Sequence, residues 1–158
     1  MTTTALPAPS LAWRTLFAII ALWTALGAVP GFLDPHDTFV RFHGHEPESA
    51  LVLDLYRGAW GQTLLFAIGY ALAAFDPRRH GALLLLGGIG KVMFALRHME
   101  LATGPDATFM SSAAIVGDLV FAALMLVYLV KSGVLASFVS LDHASAAPLA
   151  STGRSPAT

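Results

Sequence analysis

Cysteine is missing altogether from this 158-residue chain, which removes disulfides, iron–sulfur clusters, thiolate metal sites and cysteine nucleophiles. Charge is scarce as well. Only 12% of the residues are Asp, Glu, Lys or Arg, and the formal net charge is −1, so the basic footprint of a nucleic-acid binder is absent and nucleic acid is excluded as a partner. Apolar side chains are abundant instead, at 56% of the sequence, and the mean hydropathy is +0.67. A water-soluble domain of this size has too little interior to hide that much apolar surface.

Four apolar runs hold most of the excess, at residues 15–33, 58–75, 81–101 and 109–130. At about 1.5 Å per residue they predict helices roughly 27 to 33 Å long, against a hydrocarbon core of about 30 Å. The expected fold is all-α, a polytopic membrane protein with a four-transmembrane-helix bundle at 13–138. The flanking tails at 1–12 and 139–158 are rich in Thr, Ala, Ser and Pro and predict cytoplasmic disordered segments. The first run, with Arg14 before an apolar core and Gly27 and Ala28 after it, also has features of a cleavable signal peptide. Its length favours an uncleaved span.

The basic residues set the expected orientation. Arg14 precedes the first run, Arg78 and Arg79 lie between the second and third, and Lys131 closes the fourth. Four crossings put all of them on one side, so both termini are expected in the cytoplasm and the protein in a bacterial inner membrane. The other side carries Asp34, Asp37, Glu46, Glu48, Asp54, Glu100 and Asp106 against Arg41, Arg57 and Arg97. Its one sizeable segment is 34–57, where Pro47 after Glu46 predicts a helix start. Gly58 and Gly61 would permit a bend.

Ionisable groups inside a span cost roughly 2.5–3.5 kcal/mol at its centre on insertion scales and need a reason. Lys91 lies about 15 Å into the third span and Asp118 about 13.5 Å into the fourth from the opposite face. The two helices run antiparallel, so both charges arrive near the midplane as partners. Lys91 shares a helical face with Gly87, Ala95 and His98, and Asp118 with Ser111, Ala114, Ala122 and Met125. Small neighbours let two helices approach closely in lipid. Gln62, His98 and Ser111 fall at similar depth on three spans and predict a polar column from the outer surface to the pair.

Two further constellations stand out. His43, His45 and Glu46, with His36 and Glu48, offer imidazoles and carboxylates that could hold zinc or copper, though the spacing matches no tight metal signature. The turn Asp76-Pro77-Arg78-Arg79-His80 ends one helix and presents bases to anionic headgroups or a cytoplasmic partner. Gly87-Gly88-Ile89-Gly90-Lys91 is not a phosphate loop, because Leu85 stands where the first glycine belongs and Val92 follows the lysine. No pair of histidines shares a span as a haem clamp would require, and no serine–histidine–carboxylate set is readable. Trp13, Trp23, Trp60 and Tyr70 read as packing or interfacial aromatics.

Taken in order, Leu55-Tyr56-Arg57-Gly58-Ala59-Trp60-Gly61-Gln62, Gly69-Tyr70, the Asp76–His80 turn, Leu86-Gly87-Gly88-Ile89-Gly90-Lys91 and Gly117-Asp118-Leu119 resemble a group of uncharacterised bacterial four-helix integral membrane proteins, loosely DoxX-like. The resemblance covers about the central two thirds of the chain. It implies a four-span bundle in which Lys91, Asp118, Asp76, Arg78 and His80 are fixed parts of the pattern. Relatives tend to carry Gly-Met-Glu-Pro where this chain has His43-Gly44-His45-Glu46-Pro47, so the histidines depart from the group. The DoxX-like association with thiol or quinone redox complexes finds no residue here to carry it.

Three functions are compatible with these features. The first is a structural or accessory membrane component, not an enzyme, locked by Lys91–Asp118 and working beside the bilayer with a second copy or a larger membrane partner. The second is a proton-linked carrier or small-molecule binding protein using that pair. The third is a metal or redox protein of the outer loop.

Overall fold

The computed structural model describes residues 10–104 and 107–136. The tails expected to be disordered lie almost wholly outside the described residues. Six helices follow one another: α1 Leu11–Leu33, α2 Pro35–His43, α3 Ala50–Phe75, α4 Gly81–Arg97, α5 Met99–Thr103 and α6 Phe109–Lys131. Among the described residues there is no strand.

Three of these helices, α1, α3 and α6, are long and apolar enough to cross a membrane. Their outward faces carry Leu22, Leu65, Ile68, Leu72, Val120 and Leu126, each at least half exposed. Such a belt suits lipid and would be a liability in water. The expected third span, 81–101, is interrupted. α4 stops after 17 residues at Arg97, a length of about 25 Å, because the chain turns at His98, whose backbone N–H and ring Nδ1 both bond the Phe94 carbonyl, the latter at 2.9 Å. A short helix, α5, follows.

The segment between the first two long helices also differs from expectation. It is not a loop up to Pro47 but contains α2, nucleated by Pro35 at the first helical turn and by Asp34, whose carboxylate accepts from the Asp37 N–H. Gly44 ends it with φ 77°, a left-handed cap that glycine adopts without strain. The next helix starts at Ala50, three residues past Pro47, because Ser49 supplies the cap by accepting from the Val52 N–H at 3.3 Å. From there α3 runs unbroken through Gly58 and Gly61.

The long helices pair antiparallel, α1 along α3 and α4 along α6, and the two pairs touch each other less. Lipid tails are as apolar as leucine, so packing and hydrogen bonds hold such pairs together, not escape from water. Glycines supply the close approach. Gly31 of α1 lies under the Trp60 ring, Gly117 of α6 under Trp23, and Gly87 of α4 under Tyr70. At the end carrying the Asp76–His80 turn, the space between the pairs is filled by Phe17, Ile20, Tyr70, Leu84, Met125, Tyr128 and Leu129. Phe17 meets Tyr128 edge-on, with centroids 5.0 Å apart.

Candidate functional site

Beyond Tyr70, toward the end carrying α2, the filling stops. On α1, α4 and α6 the lining includes the small residues Gly27, Gly87, Gly90, Ala113 and Ala114, beside which lies a cavity of about 500 Å³. That lies within the roughly 300–1,000 Å³ typical of ligand sites. Aromatic rings from α1, α2, α3 and α4 shape its walls: Trp23, Phe42, Trp60, Phe66, Tyr70 and Phe94.

Lys91 and Asp118 form part of the wall. Lys91 Nζ donates to Asp118 Oδ1 at 2.6 Å, and the two side chains are 7% and 14% exposed. The ammonium also sits 5.8 Å from the Tyr70 ring centroid, at the outer reach of a cation–π contact. Burial of either charge alone would be expensive, and the short contact with small residues around it offsets that cost for both. The hydroxyls of Thr24 and Thr63 also line the cavity. They donate to their own helices, Thr24 to Ile20 O at 2.8 Å and Thr63 to Ala59 O at 3.0 Å.

The roof is α2. Phe42 points into the cavity and packs edge-on against Trp60, Phe94 and His98. Thr108 ties this roof to the start of α6, donating its hydroxyl to Phe42 O at 3.1 Å while it caps α6 through the Ser111 N–H at 3.0 Å. Ser111 answers by accepting from the Thr108 N–H at 3.1 Å, a complete capping box. At the sides, lining residues reach the surface: Leu26 and Phe109 where α1 faces α6, Phe66 and Gly90 where α3 faces α4. The openings therefore lie between the helix pairs, toward apolar faces.

The polar column expected from Gln62, His98 and Ser111 does not form. Gln62 is exposed, Ser111 is buried in the cap of α6, and none of the three lines the cavity. Phe42, Trp60 and Phe94 stand where that column was expected, because α2 folds over this end of the helices. Nor are His43, His45 and Glu46 gathered as a ligand set. His43 stacks on Phe39 with centroids 4.2 Å apart, His45 bonds the Glu46 carbonyl at 2.9 Å, and the Glu46 carboxylate instead meets His36 Nε2 at 2.9 Å. Among the described residues no three His, Asp or Glu side chains converge as a metal site would need. Partial burial of His43, with His98 and His45 nearby, lowers its pKa to about 4.

In the Asp76–His80 turn, Asp76 accepts from the Arg79 N–H at 3.3 Å, and Arg14 Nε donates to Ala74 O at 3.0 Å, which brings the start of α1 beside the turn. Arg79 is exposed while Arg78 is half-buried.

Sequence reasoning did not identify Trp23, Trp60, Phe42, Thr24 or Thr63 as parts of one site. The available signal was a coincidence of depth: small residues on α1, α4 and α6 level with the large rings Trp60, Phe66 and Tyr70 on α3. The fold and site define an all-helical protein with three candidate membrane-spanning helices and a cavity beside a buried ion pair. No protein-family model matches the chain, and neither a curated protein nor a solved structure is significantly similar to it.

Proposed function

We propose that the chain is a four-span protein of a bacterial inner membrane, with both termini in the cytoplasm, that binds a small hydrophobic molecule between its two helix pairs. In this topology α4 crosses as the third span, completed at the outer side by the turn at His98 and α5. The DoxX-like resemblance of the central residues belongs to the same proposal. The observation that carries the binding reading is the cavity with Lys91–Asp118 in its wall. A pair serving packing alone needs no open space beside it, and this one borders a largely apolar chamber of ligand size.

The test is to purify the chain in mild detergent, extract it with organic solvent and compare the extract by mass spectrometry with that of Ala114→Phe, which fills the cavity. A molecule retained by the unaltered chain and lost from the filled variant supports the proposal. Identical extracts contradict it.

A second reading has its own support. The 2.6 Å bond and the low exposure of both partners suit an internal lock that fixes the register of α4 against α6, in a structural or accessory component. The two readings are compatible, since a lock can also form the wall of a binding site.

A further inference from the structure

The ligand class can be argued from the hydrogen-bonding inventory of the cavity. This step rests on the binding reading above. An ammonium has three protons and a carboxylate about four acceptor positions. The Lys91–Asp118 bond uses one of each, and no second hydrogen bond reaches either group among the described residues. Thr24 and Thr63 have committed their protons to their own helices. The pair is thus the charged part of the wall, with both donor and acceptor capacity to spare; Tyr70 adds a hydroxyl beside it and Trp23 and Trp60 an indole N–H each, while the remaining lining is apolar.

Charge narrows the class further. The pair is neutral in sum. A carboxylate or phosphate entering beside it would set a second anion against Asp118, and an amine a second cation against Lys91, in a medium that screens neither. A neutral ether or carbonyl could accept from Lys91 but offers Asp118 nothing. A hydroxyl donates once and accepts through two lone pairs, so it can bond both partners together. The side openings between the helix pairs face the region where such a molecule would be dissolved.

We infer that the cavity takes a membrane-dissolved neutral alcohol, its hydroxyl bonded to both Lys91 and Asp118 and its apolar body held among Trp23, Trp60, Phe66 and Phe94. The cavity's rings also supply a reporter, because Trp23 and Trp60 line it while Trp13 lies with the core at the other end.

The experiment titrates the full chain in lipid nanodiscs with terminally brominated dodecyl probes and reads quenching of tryptophan fluorescence. Five heads are compared: hydroxyl, methyl ether, none, carboxylate and trimethylammonium. The expected result is saturable quenching by the alcohol at about tenfold lower mole fraction than by the ether or the headless chain, the scale of one or two net hydrogen bonds. The charged probes should bind more weakly still. In Lys91→Met/Asp118→Leu the alcohol should lose its advantage while the headless probe still quenches. The ranking on the unaltered chain decides the matter even where the double variant fails to fold. An ether equal to the alcohol, or a charged probe that binds more tightly, overturns the alcohol assignment and leaves the cavity reading standing. Absence of saturable quenching by every probe removes both.

Discussion

Lys91 and Asp118 show how one pair of residues can be read at two levels. That they would meet was legible in the sequence: their depths follow from counting along two antiparallel runs, and an unpaired charge at either position has no low-cost solution. What they border was not legible, because a cavity is a relation among five helices and no single helix encodes it. At this scale the expected outcome of substitution is asymmetric. Lys91→Met or Asp118→Leu alone should destabilise the protein by about 3 kcal/mol, since each leaves a buried charge without its partner, whereas the double change should be close to neutral. Unfolding in mixed detergent micelles measures all three, and single changes as mild as the double would contradict the lock. Glycine provides the second residue-scale contrast. A Cβ on Gly31 would collide with the root of the Trp60 ring, whereas one on Gly58 meets nothing within 4 Å. Gly31→Ala should therefore cost about 1–3 kcal/mol through overpacking, and Gly58→Ala should be neutral or stabilise by up to about 1 kcal/mol through helix propensity. The same unfolding assay checks both.

Among the elements, α2 was the least legible. Its nine residues carry three potential breakers of a membrane pattern, Pro35, Asp37 and Arg41, and their placement makes sense only as Pro at the start of a helix, Asp in the first turn and Arg near the end. Arg41 and Asp37, one turn apart, pair at 2.8 Å. On the apolar side of this helix Phe42 closes the chamber while Phe39 packs on His43 and Tyr56, so the expected polar column gave way to an aromatic roof. α4 differs in the opposite direction: the expected span runs to 101, but the helix ends at Arg97, where the His98 backbone N–H makes its bond to the Phe94 carbonyl at 3.0 Å and the ring adds a second contact at 2.9 Å. The roof should also respond to pH. His43 in the folded protein has a pKa of about 4 against an ordinary 6.5, so the unfolded chain takes up its proton first as pH falls. Its contribution leaves stability flat above pH 6.5 and lowers it progressively between 6.5 and about 4. Comparing unfolding midpoints of the unaltered chain and His43→Gln across that window should show a shallower acid loss in the variant. Equal slopes would mean that His43 is not held neutral by α2.

As a whole molecule the protein has two unlike ends and two unlike halves. Arg14, Arg78, Arg79, His80 and Lys131 gather at one end, and the acidic segment around α2 lies at the other, so the near-zero net charge hides an axial asymmetry that the positive-inside rule reads as orientation. The absence of cysteine makes that directly measurable, since each introduced thiol is unique. Glu48→Cys and Thr103→Cys should react with an impermeant maleimide from outside intact cells, and Arg79→Cys only after lysis. Thr103 labelled from the same side as Arg79 would mean that α4 does not cross. The packed half and the hollow half were legible in part: large side chains such as Phe17, Leu84, Met125 and Tyr128 sit level with the basic turn, and glycine and alanine sit level with the acidic end, yet only the assembled helices convert that difference into volume.

A ligand chamber beside Lys91–Asp118 can be probed by photolabelling in native membranes with an alkyl alcohol bearing a diazirine on its chain, followed by peptide mapping. The chamber predicts saturable labelling of Trp23, Phe66, Phe94 and Ala114, abolished by excess unlabelled alcohol and by Ala114→Phe. Labelling confined to the outward residues Leu22, Leu65, Met93 and Val120, rising linearly and indifferent to competitor, would contradict it.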